Sequence, residues 1–532
     1  MKRLSFGMVL LLVLGAAVWA KPGDVVSSFK SPSGYVTGVT YDGTALWVAD
    51  RKAAVLFRLD PASGKILKKI QAPGFWPLGL AWDGKSLWTI DRDAKKIFKV
   101  NPKNGWILHA FDFPTPNPRG ITFDGKYLWI SDASTHRLYQ ISSDDGTTIR
   151  SIPAPTARPN GLTWDGRYLW VSDRLRDKIY MVWPSTGDVV LILPSPGPYA
   201  NDLAWDGQFL WNADYELDRV FRIKVRDKTH FSLRNERDAT IILSHVTRNL
   251  GPGTIHKLQV YFAVPGNLPN QKIQGPITYR PEPTRFVSDR WGEKFALFET
   301  NQIRPDQSDE SDMVVHAKLF DIRYFLFSEK VGNLDEIPAG IRQRYLQDGA
   351  KHHIHDPYFQ KIVRQVVGSE KNAYWVARKL FQYVIDHMHY ELAGGWNVAP
   401  TVLKRGSGSC SEYTFVYVAL CRAAGLPARY QGSVVVRGDN ASFDDVFHRW
   451  AEVYLPHYGW IPVDPSGGDQ TWGRDQANFF GHLSNRFLIT TINGGGSRYM
   501  GWNYNANEKW VADPKTEVHI QTVADWESKL VR

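Results

Sequence analysis

Cysteine is almost absent from this chain, since Cys410 and Cys421 are the only two among 532 residues. Both fall on one predicted helix, where eleven positions correspond to about 16 Å of rise. A disulfide requires Cα atoms within about 7 Å, so these two cysteines cannot pair with each other. The sequence therefore excludes a disulfide-stapled fold. It also has no Cys-x-x-Cys motif, and we expect no metal site and no cofactor.

Long apolar runs are confined to the N-terminus. Lys2 and Arg3 precede an apolar stretch at 8–14 and small residues that end at Ala20. This is the pattern of a secretory signal peptide over residues 1–20. We therefore expect an exported protein, periplasmic or extracellular, with no stable membrane span once the signal is removed. An uncleaved membrane anchor is the alternative.

Runs of like charge are also missing, although the formal net charge is +10. The basic residues are dispersed, and no nucleic-acid-binding motif is present. We expect no nucleic-acid partner. A dispersed positive charge favours solubility and weak attraction to anionic cell-envelope polymers.

The most informative residue is Cys410, which directly precedes a predicted helix. His448 follows 38 positions later and Asp464 a further 16 positions on. A thiol, an imidazole and a carboxylate are the groups of a nucleophile, a base and an orienting residue. Each lies in a different predicted element, so only tertiary structure can bring them together. For each of the three, a purely structural role is the alternative, and for Asp464 this would be the start of a turn.

The local sequence suits a reactive thiol. A helix is predicted from Cys410 to Ala424, where Gly425 and a following proline stop it. A helix N-terminus and a neighbouring imidazolium both favour the thiolate, which is the nucleophilic form. His448 would then move the proton between thiol and leaving group, and Asp464 would orient it. Cys421, in the middle of the helix, is expected to be a small buried apolar residue.

Four short motifs carry a family resemblance. They are GSCSE at 408–412, ALCRAAGLPAR at 419–429, HRWAEVY at 448–454 and GWIPVDP at 459–465. Together they resemble the transglutaminase-like superfamily of papain-type folds, over roughly residues 334–493.

The resemblance implies thioester chemistry on amide or peptide carbonyls through Cys410, His448 and Asp464. Transglutamination, deamidation and peptide hydrolysis all remain open, with a protein or peptide as substrate. It also implies that Trp396 stands where animal transglutaminases carry an oxyanion-stabilising tryptophan. The backbone N–H of Cys410 is the expected oxyanion donor, with Trp396 as a second one. Packing is the alternative role for Trp396. The alternative function is an inactive binding scaffold.

Internal repeats dominate the first 230 residues. Asp-Gly, Leu-Trp and a later Asp each recur five times with a period of 41, beginning at Asp42, Trp47 and Asp50. Four short strands at this period predict one propeller blade. The units resemble NHL-type and glutamine-cyclotransferase-type propellers. We expect a five-bladed β-propeller at 24–230, in which the repeated aspartates cap turns.

The ends of this repeat predict how a ring would close. The last unit lacks a fourth strand, and the chain has one to spare at its N-terminus. We therefore expect Val25 to Phe29 to pair with Val220 to Lys224. The alternative is a sixth blade built from Lys228 onward.

The rest of the chain changes character. Alternating and apolar runs over 238–330 predict a β-sandwich, and helical periodicity from about residue 334 predicts an α+β transglutaminase-like core at 334–532. A cluster of His352, His353, His355 and Asp356 resembles a metal site. Asp356 followed by Pro357 fits the cap and first position of a helix better.

Overall fold

The computed structural model describes residues 20–392, 396–438 and 442–528. The expected signal peptide, apart from Ala20, lies outside these residues. The chain divides into two compact units: residues up to Ile179 with Leu193–Thr229, and Tyr180–Ile192 with the part that begins at His230. Among the described residues, no helix is long and apolar enough to cross a membrane.

The N-terminal repeats form five four-stranded sheets. The strands, in chain order, are β1 Val25–Lys30, β2 Val36–Tyr41, β3 Leu46–Asp50, β4 Val55–Leu59, β5 Ile66–Gln71, β6 Pro77–Trp82, β7 Leu87–Asp91, β8 Lys96–Val100, β9 Ile107–Asp112, β10 Pro118–Phe123, β11 Leu128–Asp132, β12 Arg137–Ile141, β13 Thr148–Pro153, β14 Pro159–Trp164, β15 Leu169–Asp173, β16 Lys178–Val182, β17 Val189–Pro194, β18 Ala200–Trp205, β19 Phe209–Asp214 and β20 Arg219–Lys224. Each of the first four sheets contains four consecutive strands, starting with β2, β6, β10 and β14.

The fifth sheet has the order β1-β20-β19-β18. Strand β1 runs antiparallel to β20, with Val25 opposite Ile223 and Phe29 opposite Val220. The predicted pairing of these two segments is therefore confirmed. Beyond Lys228 the chain enters a long strand that pairs elsewhere, so the alternative of a sixth blade from Lys228 is wrong.

The repeated aspartates accept hydrogen bonds that stabilise the turns. In every repeat the tryptophan indole N–H donates to the aspartate of the Asp-Gly turn at 2.8–2.9 Å, as in Trp47 to Asp42. The later aspartate accepts from the backbone N–H of the turn that follows it, as in Asp50 with Ala53 at 2.7 Å. The predicted capping role is thus confirmed, and it explains why the same residues recur with the 41-residue period.

The first strands of the five sheets contact one another in cyclic order, β2, β6, β10, β14, β18 and back to β2. Glycine permits this approach: a Cβ on Gly38 would lie 2.2 Å from the backbone oxygen of Leu78, and one on Gly120 would lie 2.4 Å from that of Asn160. The fifth repeat has Asp202 where the others have glycine. Its buried carboxylate accepts from the backbone N–H of Val39 at 2.8 Å.

The second unit begins with two β-sheets. Their strands are β21 Phe231–Asn249, β22 Ile255–Ala263, β23 Gln271–Ile273, β24 Thr278–Arg280, β25 Arg285–Ser288, β26 Lys294–Ile303 and β27 Ser308–Tyr324. One sheet has the order β23-β27-β21 and the other the order β25-β26-β22. The two share an apolar core that includes Ile241, Val260 and Phe298.

Both sheets are extended by the C-terminal end of the chain, where β36 (Ala506–Ala512) pairs with β22 and β37 (Val518–Ser528) pairs with β21. The sequence predicts these residues within the α+β core at 334–532, because strand partners distant in sequence leave no local pattern. The expected boundaries at 238, 330 and 334 stay predictions.

The helical part follows. Its helices are α1 Ala339–Tyr345, α2 Pro357–Val366, α3 Ala373–His387, α4 Ala399–Arg405, α5 Cys410–Ala423 and α6 Gly473–Gln476, with short 3-10 turns at Ser328–Lys330, Leu334–Glu336 and Ala477–Phe479. The remaining strands are β28 His389–Tyr390, β29 Ser407–Gly408, β30 Ala428–Val435, β31 Ser442–Asp444, β32 His448–Leu455, β33 Gly459–Val463, β34 His482–Leu483 and β35 Phe487–Asn493.

Helix α5 is the centre of this part. It is buried along almost its whole length and packs against α2, α3, α4 and the antiparallel sheet β33-β32-β30-β35. It ends where predicted, because Gly425 adopts a φ of 82°, which glycine tolerates without strain. This packing fixes the N-terminus of α5 beside the first residue of β32.

Candidate active site

Cys410 is the first residue of α5, and its side chain is buried with 5% exposure. Buried Glu412 holds the start of the helix. Its carboxylate accepts from the backbone N–H of Ser409 at 3.3 Å and from Arg405 Nη2 at 2.7 Å. The first N–H groups of a helix have no intrahelical partner and attract negative charge. The thiol therefore lies where its anionic form is favoured.

His448 is the first residue of β32, and Asp464 directly follows β33. The two strands form an antiparallel hairpin, which brings His448 Nε2 within 2.7 Å of Asp464 Oδ2. An ionised carboxylate only accepts hydrogen bonds, so Nε2–H donates to it. The other ring nitrogen, Nδ1, is then left for the thiol of Cys410, whose side chain hydrogen-bonds His448.

Asp464 is itself fixed by two further donors. Its Oδ1 accepts from Ser466 Oγ at 2.7 Å and from the backbone N–H of Gly467 at 3.0 Å. Burial raises the pKa of Asp464, but the charge and hydrogen bond of His448 and these two donors lower it, and the net effect is a lowered pKa. Asp464 is therefore ionised at neutral pH and holds the ring of His448 in one orientation.

The thiol and the imidazole shift each other's titration. Burial raises the pKa of Cys410, yet its hydrogen bond to His448, the charge of that ring and the backbone N–H of Arg449 bring the pKa below its ordinary value. Burial lowers the pKa of His448, but Asp464 and Cys410 raise it overall. Both directions favour a thiolate–imidazolium pair at neutral pH. The His448 side chain keeps 20% exposure, so solvent and substrate can reach it.

Arg449 is a fully buried cation next to this pair. Aromatic rings surround its guanidinium, with centroids at 4.2–5.2 Å from Cζ, and they belong to Trp396, Phe415, Tyr430 and Tyr504. Nη2 donates to the backbone oxygen of Trp502, whereas Nε and Nη1 have no hydrogen-bond partner among the described residues. The charge of Arg449 lowers the pKa of Cys410.

Trp396 lies in this aromatic group. Its ring contacts Phe415 and Tyr504 as well as the guanidinium of Arg449. These contacts match the packing alternative for Trp396, and an oxyanion role for its indole stays a prediction. Residues 393–395, shortly before it in the sequence, lie outside the described residues.

The structure thus brings Cys410, His448 and Asp464 together and places Trp396 in the surrounding wall. Sequence reasoning missed Arg449 and Tyr504. Arg449 directly follows His448, so its backbone position was readable, but its burial was not. Tyr504 is 94 residues from Cys410 and reaches the site only through the tertiary fold, where the negative charge of the thiolate contributes to raising its pKa after burial.

The cluster at 352–356 contains a helix cap and a buried histidine. Asp356 accepts from the backbone N–H of Tyr358 at 2.8 Å and Pro357 opens α2, so the predicted helix cap is confirmed. His352 is buried, and its Nδ1 accepts from Arg422 Nη1 at 3.1 Å. Within the ranges that the structure describes, no three or more His, Cys, Asp or Glu side chains gather as metal ligands would.

Comparison with known proteins places the site in a family. Residues 360–465 match the model of the transglutaminase-like superfamily, and this range contains Cys410, His448 and Asp464. The chain therefore carries a transglutaminase-like domain, and the resemblance seen in the sequence is confirmed.

Two curated relatives match parts of the chain. Over 160 residues, 27% of this chain, it is 28% identical to the uncharacterised protein YebA of Bacillus subtilis. Over 66 residues, 11% of this chain, it is 38% identical to a protein-glutamine gamma-glutamyltransferase of Pseudomonas aeruginosa. The matches span only 20% and 10% of the relatives' own length.

Three solved structures are similar to parts of this chain. One is a protein of Cytophaga hutchinsonii, provisionally assigned as a cysteine protease. The match covers 56% of this chain and 100% of that chain, with 13% identity and a TM-score of 0.38. The match to a glutaminyl cyclase of Myxococcus xanthus covers 39% of this chain and 100% of that chain, with 14% identity and a TM-score of 0.35. A virginiamycin B lyase of Staphylococcus aureus is 22% identical over 37% of this chain and 69% of its own, with a TM-score of 0.26.

Proposed function

We propose that this protein is a cysteine enzyme that cleaves or exchanges amide bonds of proteins or peptides through a thioester on Cys410. The observation that carries the proposal is the 2.7 Å contact of His448 Nε2 with Asp464 Oδ2, which leaves Nδ1 for the thiol. The match of residues 360–465 to the transglutaminase-like superfamily supports it independently of this geometry.

The reaction would proceed in two steps. The thiolate of Cys410 attacks the carbonyl carbon of a carboxamide, and the carbon–nitrogen bond breaks while the departing nitrogen takes the proton from His448 Nδ1. The backbone N–H of Cys410 would bind the oxyanion. Water or a primary amine then attacks the thioester, gives its proton to Nδ1 and releases the thiolate.

Asp464 would orient His448 and stabilise its charged form in both steps. It holds Nε2–H in place, so the ring always presents Nδ1 to the thiol, and its negative charge stabilises the imidazolium form of His448. The positive charge of Arg449 stabilises the thiolate of Cys410.

The proposal extends to the rest of the chain. The five four-stranded sheets, with first strands in cyclic contact, support a five-bladed propeller. The two sheets around a shared core support a β-sandwich. In this proposal the protein is exported, and the propeller recruits the protein substrate or a cell-envelope polymer.

The test is incubation of the purified protein with casein and a fluorescent primary amine, with Cys410→Ala as control. Incorporation of the amine means transfer, release of ammonia alone means deamidation, and new peptide termini mean proteolysis. We expect one of these activities, lost in Cys410→Ala and reduced roughly 10²-fold or more in His448→Ala. If none exceeds the Cys410→Ala background, the proposal fails and a non-catalytic scaffold remains.

A further inference from the structure

One edge of the N-terminal repeats carries an unusual set of arginines. In each four-stranded sheet, the start of the first strand lies opposite the end of the second strand at this edge, as Pro77 of β6 lies opposite Asp91 of β7. The residue after each second strand therefore lies beside the residue before each first strand, and Arg92 N–H donates to the backbone oxygen of Trp76 at 3.0 Å. Five arginines at this edge form what we call the arginine rim: Arg51, Arg92, Arg119, Arg158 and Arg174.

The arginines of the rim lie close to one another. Arg51 and Arg92 both lie over the ring of Trp76, with Cζ at 4.7 and 4.8 Å from its centroid. Burial lowers the pKa of Arg119, and the like charges of Arg92, Arg174 and Arg158 lower it further. A group of mutually repelling cations costs free energy unless an anion neutralises it.

Among the residues that the structure describes, no carboxylate forms an ion pair with the rim. Within the described ranges none of the five arginines forms an ion pair, whereas cations near the opposite turns are paired, as in Arg58 with Asp42 at 2.7 Å and Lys99 with Asp83 at 2.9 Å. Arg92 and Arg158 are exposed, and the other three are half-buried. Their guanidinium groups are therefore available to a ligand, and guanidinium binds carboxylate in a two-pronged geometry.

Aromatic rings continue the same edge. Tyr35, Tyr199 and Tyr215 line a cleft of about 600 Å³, with ring centroids of Tyr199 and Tyr215 5.5 Å apart. Arg174 lies over Tyr199 at 4.4 Å and links the cleft to the rim. Glu216 and Asp218 also line this cleft, so an anion would be bound on the rim and not among the tyrosines.

We propose that the arginine rim binds an acidic segment, a run of Asp or Glu, of the protein substrate. The substrate class rests on the proposed function, whereas the anionic character of the ligand rests on the rim alone. A docking site linked covalently to a catalytic site raises the local concentration of any substrate that carries the acidic segment. The rim would thus select acidic proteins for the chemistry at Cys410.

The test measures binding and turnover separately on the full-length protein. Fluorescence anisotropy compares a labelled peptide with a run of glutamates against one with serines in the same places. The double variant Arg119→Gln/Arg174→Gln removes two rim charges, and Arg92→Gln/Arg158→Gln does the same at exposed positions if the first pair fails to fold. Lys69→Gln, an exposed cation of β5, is the matched control.

We expect the glutamate peptide to bind the wild-type protein better than the serine peptide does, and its affinity to fall at high salt. Its affinity for either double variant should be about tenfold lower, whereas its affinity for Lys69→Gln should be unchanged. Equal binding of the two peptides, or an equal loss in Lys69→Gln, would overturn the proposal. Tighter binding of polygalacturonate or of a single-stranded oligonucleotide than of the glutamate peptide would overturn the assignment to proteins.

Turnover separates this proposal from the proposed function. A glutamine peptide extended by the glutamate run should be converted with a kcat/KM about tenfold above that of the unextended peptide, and the double variants should remove only this gain. Binding without any turnover would refute the catalytic proposal and leave the rim. Turnover that the glutamate run does not raise would refute the rim as a substrate-docking site and leave the catalytic proposal.

Discussion

His448 Nε2 lies 2.7 Å from Asp464 Oδ2, so one end of the imidazole is fixed and the other faces Cys410. Both partners come from one β-hairpin, and the thiol comes from the start of a buried helix. The charge of Asp464 raises the pKa of His448, and the charge of His448 lowers that of Cys410, each against the effect of burial.

Replacing Asp464 by Asn should therefore narrow the pH range of activity from both sides. The amide can still accept from Nε2–H but carries no charge, so the pKa of His448 falls and that of Cys410 rises. In a profile of kcat/KM against pH, the alkaline limb should move to lower pH and the acid limb to higher pH. Asp513→Asn is the matched control, since Asp513 Oδ1 lies 2.7 Å from His256 Nε2 and this pair is not part of the site. Unshifted limbs in Asp464→Asn would contradict the assigned role.

The two cysteines should differ in reactivity. Cys410 has a lowered pKa at a helix N-terminus, whereas burial raises the pKa of Cys421 within α5. Iodoacetamide should label the native protein at Cys410 alone, and His448→Ala should slow that labelling about tenfold at neutral pH. Peptide mapping by mass spectrometry locates the label. Labelling of Cys421 at a comparable rate under native conditions would refute the prediction.

Arg449 should support reactivity at the expense of stability. Its charge lowers the pKa of Cys410, but two of its buried nitrogens have no hydrogen-bond partner in the part of the chain that the structure describes. A buried cation with nitrogens that make no hydrogen bond carries a desolvation cost, which an apolar side chain of similar size avoids. Arg449→Met should thus raise the pKa seen in alkylation rates without lowering the melting temperature, and Arg449→Lys should restore part of the shift.

Arg422→Met provides the contrast. Arg422 is also buried in the core, but it donates to the backbone oxygens of Ala428, Gln347 and Gly494. Its loss should lower the melting temperature clearly. If Arg449→Met destabilises the protein as much and leaves the alkylation profile unchanged, Arg449 has a structural role only.

Asp202 should make the stability of the repeats depend on pH. Burial raises its pKa to about 8, and its carboxylate accepts from backbone N–H groups of β2, β6, β14 and β18. A group whose pKa is raised on folding contributes stability at low pH that is lost as pH rises towards that pKa. The melting temperature of the repeats should fall between about pH 5 and pH 8 in the wild type and less so in Asp202→Asn.

Asp202→Gly is the companion variant, because glycine is the residue of the other four repeats. It leaves buried N–H groups such as Val39 N without an acceptor, and each such group costs about 1–3 kcal/mol. We expect a lower melting temperature at every pH. Equal pH slopes in the wild type and in Asp202→Asn would show that Asp202 is already ionised in the folded protein.

Removing residues 24–29 should destabilise the repeats selectively. Strand β1 pairs with β20, and its loss would leave β20 as an exposed edge. The truncated protein should lose the thermal transition of the repeats or shift it downward, while labelling of Cys410 by iodoacetamide continues. The undisturbed full-length chain is the reference, and an unchanged melting profile would contradict the prediction.

The sequence by itself determined the parts of this protein that are local or periodic. The 41-residue repeat and the start and end of α5 follow from turn residues, strand alternation and helix stops, which act between near neighbours. The pairing of β1 with β20 follows from the phase of that repeat, which leaves one strand at the N-terminus and one gap in the last unit. The order and residue types of Cys410, His448 and Asp464 predicted that these three side chains form one site, and the structure brings them together.

Tertiary structure decided what depends on residues far apart in the chain. The pairing of β36 with β22 and of β37 with β21, the ring of aromatic side chains around Arg449 and the approach of Tyr504 to Cys410 leave no local pattern. Strand pairing and burial are set by which surfaces exclude water together. The pKa values of the site follow from that burial, so they emerge only once the chain has folded.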